Sequence, residues 1–361
     1  MRQLTQRRSA WAGRRRVVPV CLAMATTVAV IVPGGARQAS PDPFEFLRPI
    51  AAIPDGDRRA IDRGEARART LPGEGREVVV LGIVAARIDA ARLRAWVQRI
   101  EAMKRSAAVR AIARFSTPPR IEDLQSLALD DEDLNAIRDC QPGDCGLKLG
   151  AAEMTRLQSA IEGRSDWRAA LQEAFRALVL DRVTAYRARG HAGLPAYDDT
   201  APARRPADAF GDLLARSRPL LDRVPPLVAS LGAPPPVSDD AFLYWANEQF
   251  GGKPVLSVTD VRIVEPAGEP ALPLVVVAGT QVFATHYRNG SLNLTMLLRG
   301  RDGGPNYLVY LNRSEVDVIG GFFGGIARAI VQRRVRSEAS EVIVALRTRL
   351  ESGPPPRLPP E

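Results

Sequence analysis

Between residues 254 and 312 apolar and polar side chains alternate with a period of two, and no other feature limits the fold of this chain so closely. Four strands fit the segment: Val255 to Val264, Leu274 to Arg288, Leu292 to Leu298 and Tyr307 to Asn312. The links between them are too short for crossovers, so neighbouring strands must run antiparallel. Gly320 to Gly325 then forms a glycine-rich link into a helix from Ile326 to Leu350. That helix places Val331, Val335, Ala339, Val342, Leu346 and Leu350 on one stripe. At the usual rise it reaches about 37 Å, enough to lie across the sheet.

Upstream, Val78 to Ile88 is apolar and β-branched and reads as a buried strand. Asp89 caps a helix with Leu93, Trp96, Val97, Ile100 and Met103 inward, and Val109 to Phe115 returns as a strand. From 120 to 250 the pattern is helical. Asp130 and Asp133 bracket a helix start as caps, Trp167 to Tyr186 is a long amphipathic helix, and Ser238 caps a helix carrying Phe242, Trp245 and Phe250. The fold class expected is α+β: an antiparallel sheet of four or more strands, a long C-terminal helix and a helical insertion over 120–250. One domain spans 77–351. Residues 37–76, rich in Pro, Gly and Arg, read as a flexible tether with one apolar patch at Phe44 to Leu47. The Pro-rich end, 352–361, reads as a disordered tail.

The first 36 residues hold six arginines and no acid, then the apolar run Val17 to Val32 and the small residues Gly34, Gly35 and Ala36. This is the order of a signal peptide cut near Ala36; the alternative is an uncleaved inner-membrane anchor over residues 17–33. Either places the body in the periplasm or cell envelope, with membrane contact only through the leader. Setting those arginines aside lowers the net charge from +9 to +3. No basic patch with interleaved aromatics remains, so a nucleic-acid partner is not expected.

Few residues carry recognisable chemistry. There is no nucleophile elbow, phosphate loop or zinc-protease helix. With two histidines, His191 and His286, no metal site is expected, and no cofactor motif is present. Cys140 and Cys145 flank a Pro142-Gly143 turn and read as a disulfide in an oxidising compartment. Asn289-Gly290 reads as a type I′ turn that pairs His286 with Asn293. In that register Phe283, Thr285, Tyr287, Leu292, Leu294 and Met296 face the core. Ala284, His286, Arg288, Ser291, Asn293 and Thr295 share the other face. His286, Arg288, Asn293 and Thr295 are therefore the candidate ligand-binding set, with Arg288 suited to an anionic head and His286 to pH dependence. His191 reads as an exposed loop residue.

The segments Cys140-Gln-Pro-Gly-Asp-Cys145 with Lys148-Leu149, Thr285-His286-Tyr287, and Tyr307-Leu-Val-Tyr-Leu-Asn-Arg-Ser314 resemble a group of exported bacterial proteins with no assigned activity. More distantly, the order strand, helix, strands, long C-terminal helix is similar to the START-type helix-grip fold. That likeness implies a sheet curled around the last helix to hold an apolar ligand. The leading expectation is an exported protein binding a lipid or other apolar small molecule between sheet and helix. The alternatives are a periplasmic hydrolase using His286, and a ligand-free structural envelope protein.

Overall fold

The computed structural model describes residues 42–317, apart from 232, 251, 268 and 302, and residues 324–356. The leader and the glycine link up to residue 323 lie outside the described residues. Among the described residues no helix is long and apolar enough to cross a membrane.

The centre is an eight-stranded antiparallel sheet in the order β1-β2-β8-β7-β6-β5-β4-β3. Its strands are β1 (Arg67–Leu71), β2 (Glu77–Ala86), β3 (Val109–Arg114), β4 (Ala241–Phe250), β5 (Lys253–Val264), β6 (Val275–Ala284), β7 (Arg288–Leu298) and β8 (Asn306–Val316). Helix α1 (Asp55–Asp62) precedes β1; α2 (Ala90–Val97) and α3 (Ile100–Lys104) join β2 to β3. The insertion between β3 and β4 supplies α4 (Asp131–Asp139), α5 (Ala151–Ser159), α6 (Trp167–Arg189), α7 (Pro206–Leu221) and α8 (Pro225–Leu231). Helix α9 (Gly324–Glu351) follows β8.

One side of the sheet is covered by α1, the insertion helices and the turn Glu45–Leu47, which bury Leu292, Leu294 and Met296 of β7 with Leu213 of α7. The other side meets α2, α3 and α9, whose Trp96, Ile100 and Ile343 pack on Val84, Phe242, Val277 and Leu308. All ten residues of β2 are buried, as befits a strand covered on both sides. Gly82 lets α9 approach: a side-chain carbon there would touch Ile343 Cδ1 at 3.4 Å. The end of α9 is pinned to α3, because the Arg349 guanidinium donates to the carbonyls of Ala102, Met103 and Arg105.

Four expectations need correction. Residues 42–71 are folded: Phe44, Phe46, Leu47 and Ile61 enter the core, Arg58 pairs with Asp42 at 2.6 Å, and β1 forms a charged edge strand. Residues 241–250 are strand rather than helix. Phe242 and Tyr244 face one side and Leu243 and Trp245 the other, so burial on both faces erased the alternation. Helix α9 packs along β2, β1 and β8 at one side of the sheet rather than across all of it. Its buried stripe is Ala339, Ile343 and Leu350, with Val342 at 53% exposure.

The β6–β7 connection is the fourth. Gly279 pairs with Asn293 and Thr280 with Leu292, so Asn289-Gly290 lies inside β7, not at a turn. The reversal occurs at Thr285 to Tyr287, where Tyr287 takes a φ of 67°. Thr285 O there accepts from Lys148 N at 2.9 Å, and Tyr287 O accepts from Asp317 N at 2.9 Å. Gly290 is needed for packing: a side-chain carbon would sit 3.2 Å from Ala209 Cβ of α7.

Candidate functional site

Alternation along β7 and β8 places Ser291, Asn293, Thr295, Tyr310, Asn312 and Ser314 on the side facing α2, α3 and α9. These groups form a ladder. The Tyr310 hydroxyl donates to Asn293 Oδ1 at 3.0 Å, and Asn312 Nδ2 donates to the same oxygen and to Ser291 Oγ at 3.2 Å. Ser314 Oγ donates to Asn312 Oδ1 at 3.0 Å and lies 2.9 Å from Ser291 Oγ. On the adjoining strands Thr259 pairs across from Gln281, beside Gly279.

The centre of an eight-stranded sheet is where cover is normally best. Yet Thr259, Asn293, Thr295, Tyr310 and Asn312 are only half-buried. Lys104, from the end of α3, walls the patch by pairing with Glu248 of β4 at 2.9 Å and with the Tyr244 hydroxyl at 3.3 Å. The Lys104 and Glu248 side chains keep 26% and 29% exposure. Desolvation is nevertheless the largest influence on both acidities. It is outweighed in each case: Tyr244 and Glu248 push Lys104 up, and Lys104 pulls Glu248 down. Both side chains are thus partly covered and paired beside the patch. Burial likewise raises the Tyr310 phenol.

Of the residues singled out from sequence, Asn293 and Thr295 line this patch. Arg288 opens β7 and lies close enough to Tyr310 to influence its acidity. His286 does not belong to the group. The bulge between Val258 and Thr259 on the β5–β6 pairing puts both Val282 and Phe283 against the insertion, which resets the alternation before residue 286. His286 Nδ1 donates to Gly146 O at 2.8 Å and Nε2 lies 2.9 Å from Asp133 Oδ1, so both ring nitrogens are committed. Asp130 caps α4 by accepting from Asp133 N, as the sequence suggested, and this leaves the Asp133 carboxylate for His286.

Two of the segments singled out in the sequence meet beside that histidine, where Lys148 N donates to Thr285 O. Cys140 and Cys145 are bonded to each other. Buried Lys148 bridges Asp199 at 2.8 Å and Asp317 at 2.5 Å. Burial raises the Asp199 carboxyl even so. Deeper in the same side, Asp260 and Arg262 are each 1% exposed and paired at 2.8 Å, and the Tyr186 hydroxyl donates to Asp260 at 2.8 Å. His191 is buried, not exposed. It stacks on Phe210 at 3.9 Å, donates to Gln281 O at 3.1 Å, and burial lowers its pKa to about 4.

A separate cleft of about 350 Å³ lies at the β1–β2 turn, lined by Glu74, Arg76, Arg204, Asp212, Arg216 and Glu315 among others. Its charges are matched across the opening, Arg204 to Glu315 at 2.7 Å and Arg216 to Glu74 at 3.3 Å. No protein-family model matches the chain, and no curated protein matches it.

Proposed function

We propose that this chain binds an amphiphilic small molecule on the side of the sheet bordered by α3 and α9. The observation that carries this reading is the half-buried polar patch on the central strands β5 to β8, set beside an apolar cluster. A plain core would bury apolar groups there instead. The polar end of the molecule rests over Thr259, Asn293, Thr295 and Asn312. Its apolar body follows the half-buried Met103, Ile112 and Tyr310, which border the cluster. The order of two strands, helix pair, six strands with an insertion, and long closing helix supports the likeness to a helix-grip arrangement.

The binding reading is favoured over hydrolysis because His286 has both nitrogens engaged by Gly146 and Asp133. Export to the periplasm or envelope remains the reading of residues 1–36. The Cys140–Cys145 bond supports it, since disulfides persist in oxidising compartments.

Native mass spectrometry of protein recovered from its host is expected to find a bound amphiphile that organic extraction releases. Gly279→Val tests its placement. A side-chain carbon at residue 279 would meet only ordinary contacts, 3.4 Å to Thr259 Cγ2 and 3.8 Å to Asn293 Cβ, and valine suits a strand. The variant should stay folded and lose the molecule. Wild-type protein free of any apolar ligand, or equal loading of both proteins, contradicts the proposal.

A further inference from the structure

We propose that the Cys140–Cys145 bond is a redox-sensitive clasp. Its reduction loosens the strap formed by residues 133–148 from the β6–β7 reversal and opens the His286 imidazole to solvent.

The strap grips the reversal from both sides of the bond. Ahead of Cys140, α4 presents Asp133, whose Oδ1 lies 2.9 Å from His286 Nε2. Beyond Cys145, Gly146 O accepts from His286 Nδ1 at 2.8 Å, and Lys148 N donates to Thr285 O at 2.9 Å. The two partners of one imidazole are therefore tied to each other across the disulfide, and the ring they hold is 6% exposed. The reversal also has reason to relax when the grip weakens. Tyr287 carries a side chain at a φ of 67°, a conformation that persists where its surroundings enforce it.

The bond is within reach of a small reductant. Gln141 to Asp144 are exposed and Cys145 is half-buried, whereas Cys140 is 4% exposed. An incoming thiolate therefore meets the Cys145 sulfur first. A small dithiol supplies the electrons. Its first thiolate attacks Cys145 Sγ, the Cys140–Cys145 bond breaks, and Cys140 leaves as a thiolate that takes up a proton. Its second thiolate attacks the mixed disulfide, Cys145 leaves and is protonated, and the reductant ends as its own disulfide. Two electrons and two protons have then passed to the protein.

Reduction does not unseat the strap at rest, because Leu134, Ile137, Leu147 and Leu149 stay buried on its two arms. It acts on the open form. The cross-link restricts the opened strap, and cutting it restores that chain entropy. For so short a loop the opening equilibrium grows by about thirtyfold.

His191 and His286 are the only histidines, so carbethoxylation by diethyl pyrocarbonate, mapped by mass spectrometry, reads both. The full chain is labelled as purified, and again after reduction with dithiothreitol and desalting under nitrogen. His286 is expected to react about tenfold faster or more in the reduced protein, with circular dichroism unchanged. His191 should keep its rate, since its partners Phe210 and Gln281 lie off the strap. A Cys140→Ser, Cys145→Ser variant should match the reduced protein without any reductant; if it does not fold, the reduced wild type carries the test. An equal His286 rate in the two redox forms overturns the proposal and leaves a plain staple. An equal rise at both histidines, or a lost dichroism signal, overturns it too, because the opening is then global. Failure of dithiothreitol to yield alkylatable thiols at Cys140 and Cys145 removes the reachable clasp.

Discussion

The two sides of one sheet treat polar side chains in opposite ways. Against the insertion they are charged, mostly buried and closed by fixed partners: Asp260 with Arg262 and Tyr186, Lys148 with Asp199 and the partly exposed Asp317, His286 with Asp133 and Gly146. Against α3 and α9 they are mostly neutral, half-buried and bonded to one another along the strands. A buried charge that has its partners specifies packing, because no other arrangement leaves it satisfied. A neutral group with space above it specifies little by itself and is available to a visitor. The polar groups that look most chemical in the sequence are therefore the structural ones here, and the modest amides and hydroxyls are the ones left half-buried.

The contrast is most easily broken at Asp260. Asp260→Ala strands the Arg262 guanidinium among Ser230 and Ala233 carbonyls with no countercharge. Chemical denaturation should show a loss of about 3–5 kcal/mol. A loss under 1 kcal/mol would mean that the insertion does not seal this pair.

The next effect is a pH dependence. His191 is held neutral by burial, with a pKa of about 4 against an ordinary 6.5. Between those values the unfolded chain binds the proton and the folded chain does not. Stability must therefore fall as pH drops from 6.5 to 4, by about 3 kcal/mol at the lower end. Asp199 and Asp260, whose carboxyls burial raises, slope the other way, so the wild-type curve alone mixes the contributions. The difference between wild type and His191→Phe isolates the histidine. A flat difference across that window would place His191 in contact with water.

On the opposite side the same kind of deletion should matter little. Asn293→Val removes an acceptor used by Tyr310 and Asn312, but water can reach both. The expected cost is about 1 kcal/mol in thermal or denaturant melts. A cost rivalling that of Asp260→Ala would mean the patch is closed core and would weaken the binding reading.

How far the sequence revealed this depends on how many elements each feature needs. The meander β5 to β8 was readable because one strand at a time shows its period, and Asn293 and Thr295 were placed correctly by alternation within β7. Strand β4 was hidden because Phe242 to Trp245 are buried on both sides, a run that imitates a helical stripe. The folded segment 42–71 was hidden by its low apolar density; its few anchors, Phe44, Phe46 and Leu47, do the packing that a longer run usually does. The misplacement of His286 came from the reversal, which falls at Thr285 to Tyr287 rather than at Asn289-Gly290, and from the extra residue near Val282 that shifts the faces just before it. Lys104 and Glu248 could not be joined by reading along the chain, standing 144 residues apart. A hint existed: Lys104, Lys148 and Lys253 are the only lysines among 50 basic residues, and each is paired with an acid.

Two tryptophans allow the central claim to be tested directly, since Trp96 of α2 lies in the cluster on the α9 side and Trp245 of β4 lies against the insertion. The measurement is the saturable quenching of tryptophan fluorescence by a decyl maltoside brominated on its chain, in wild type, Trp96→Phe and Trp245→Phe. A ligand on the α3–α9 side predicts that most of the quenching disappears in Trp96→Phe and persists in Trp245→Phe. Quenching that survives Trp96→Phe and vanishes in Trp245→Phe would put the ligand on the insertion side and contradict the account.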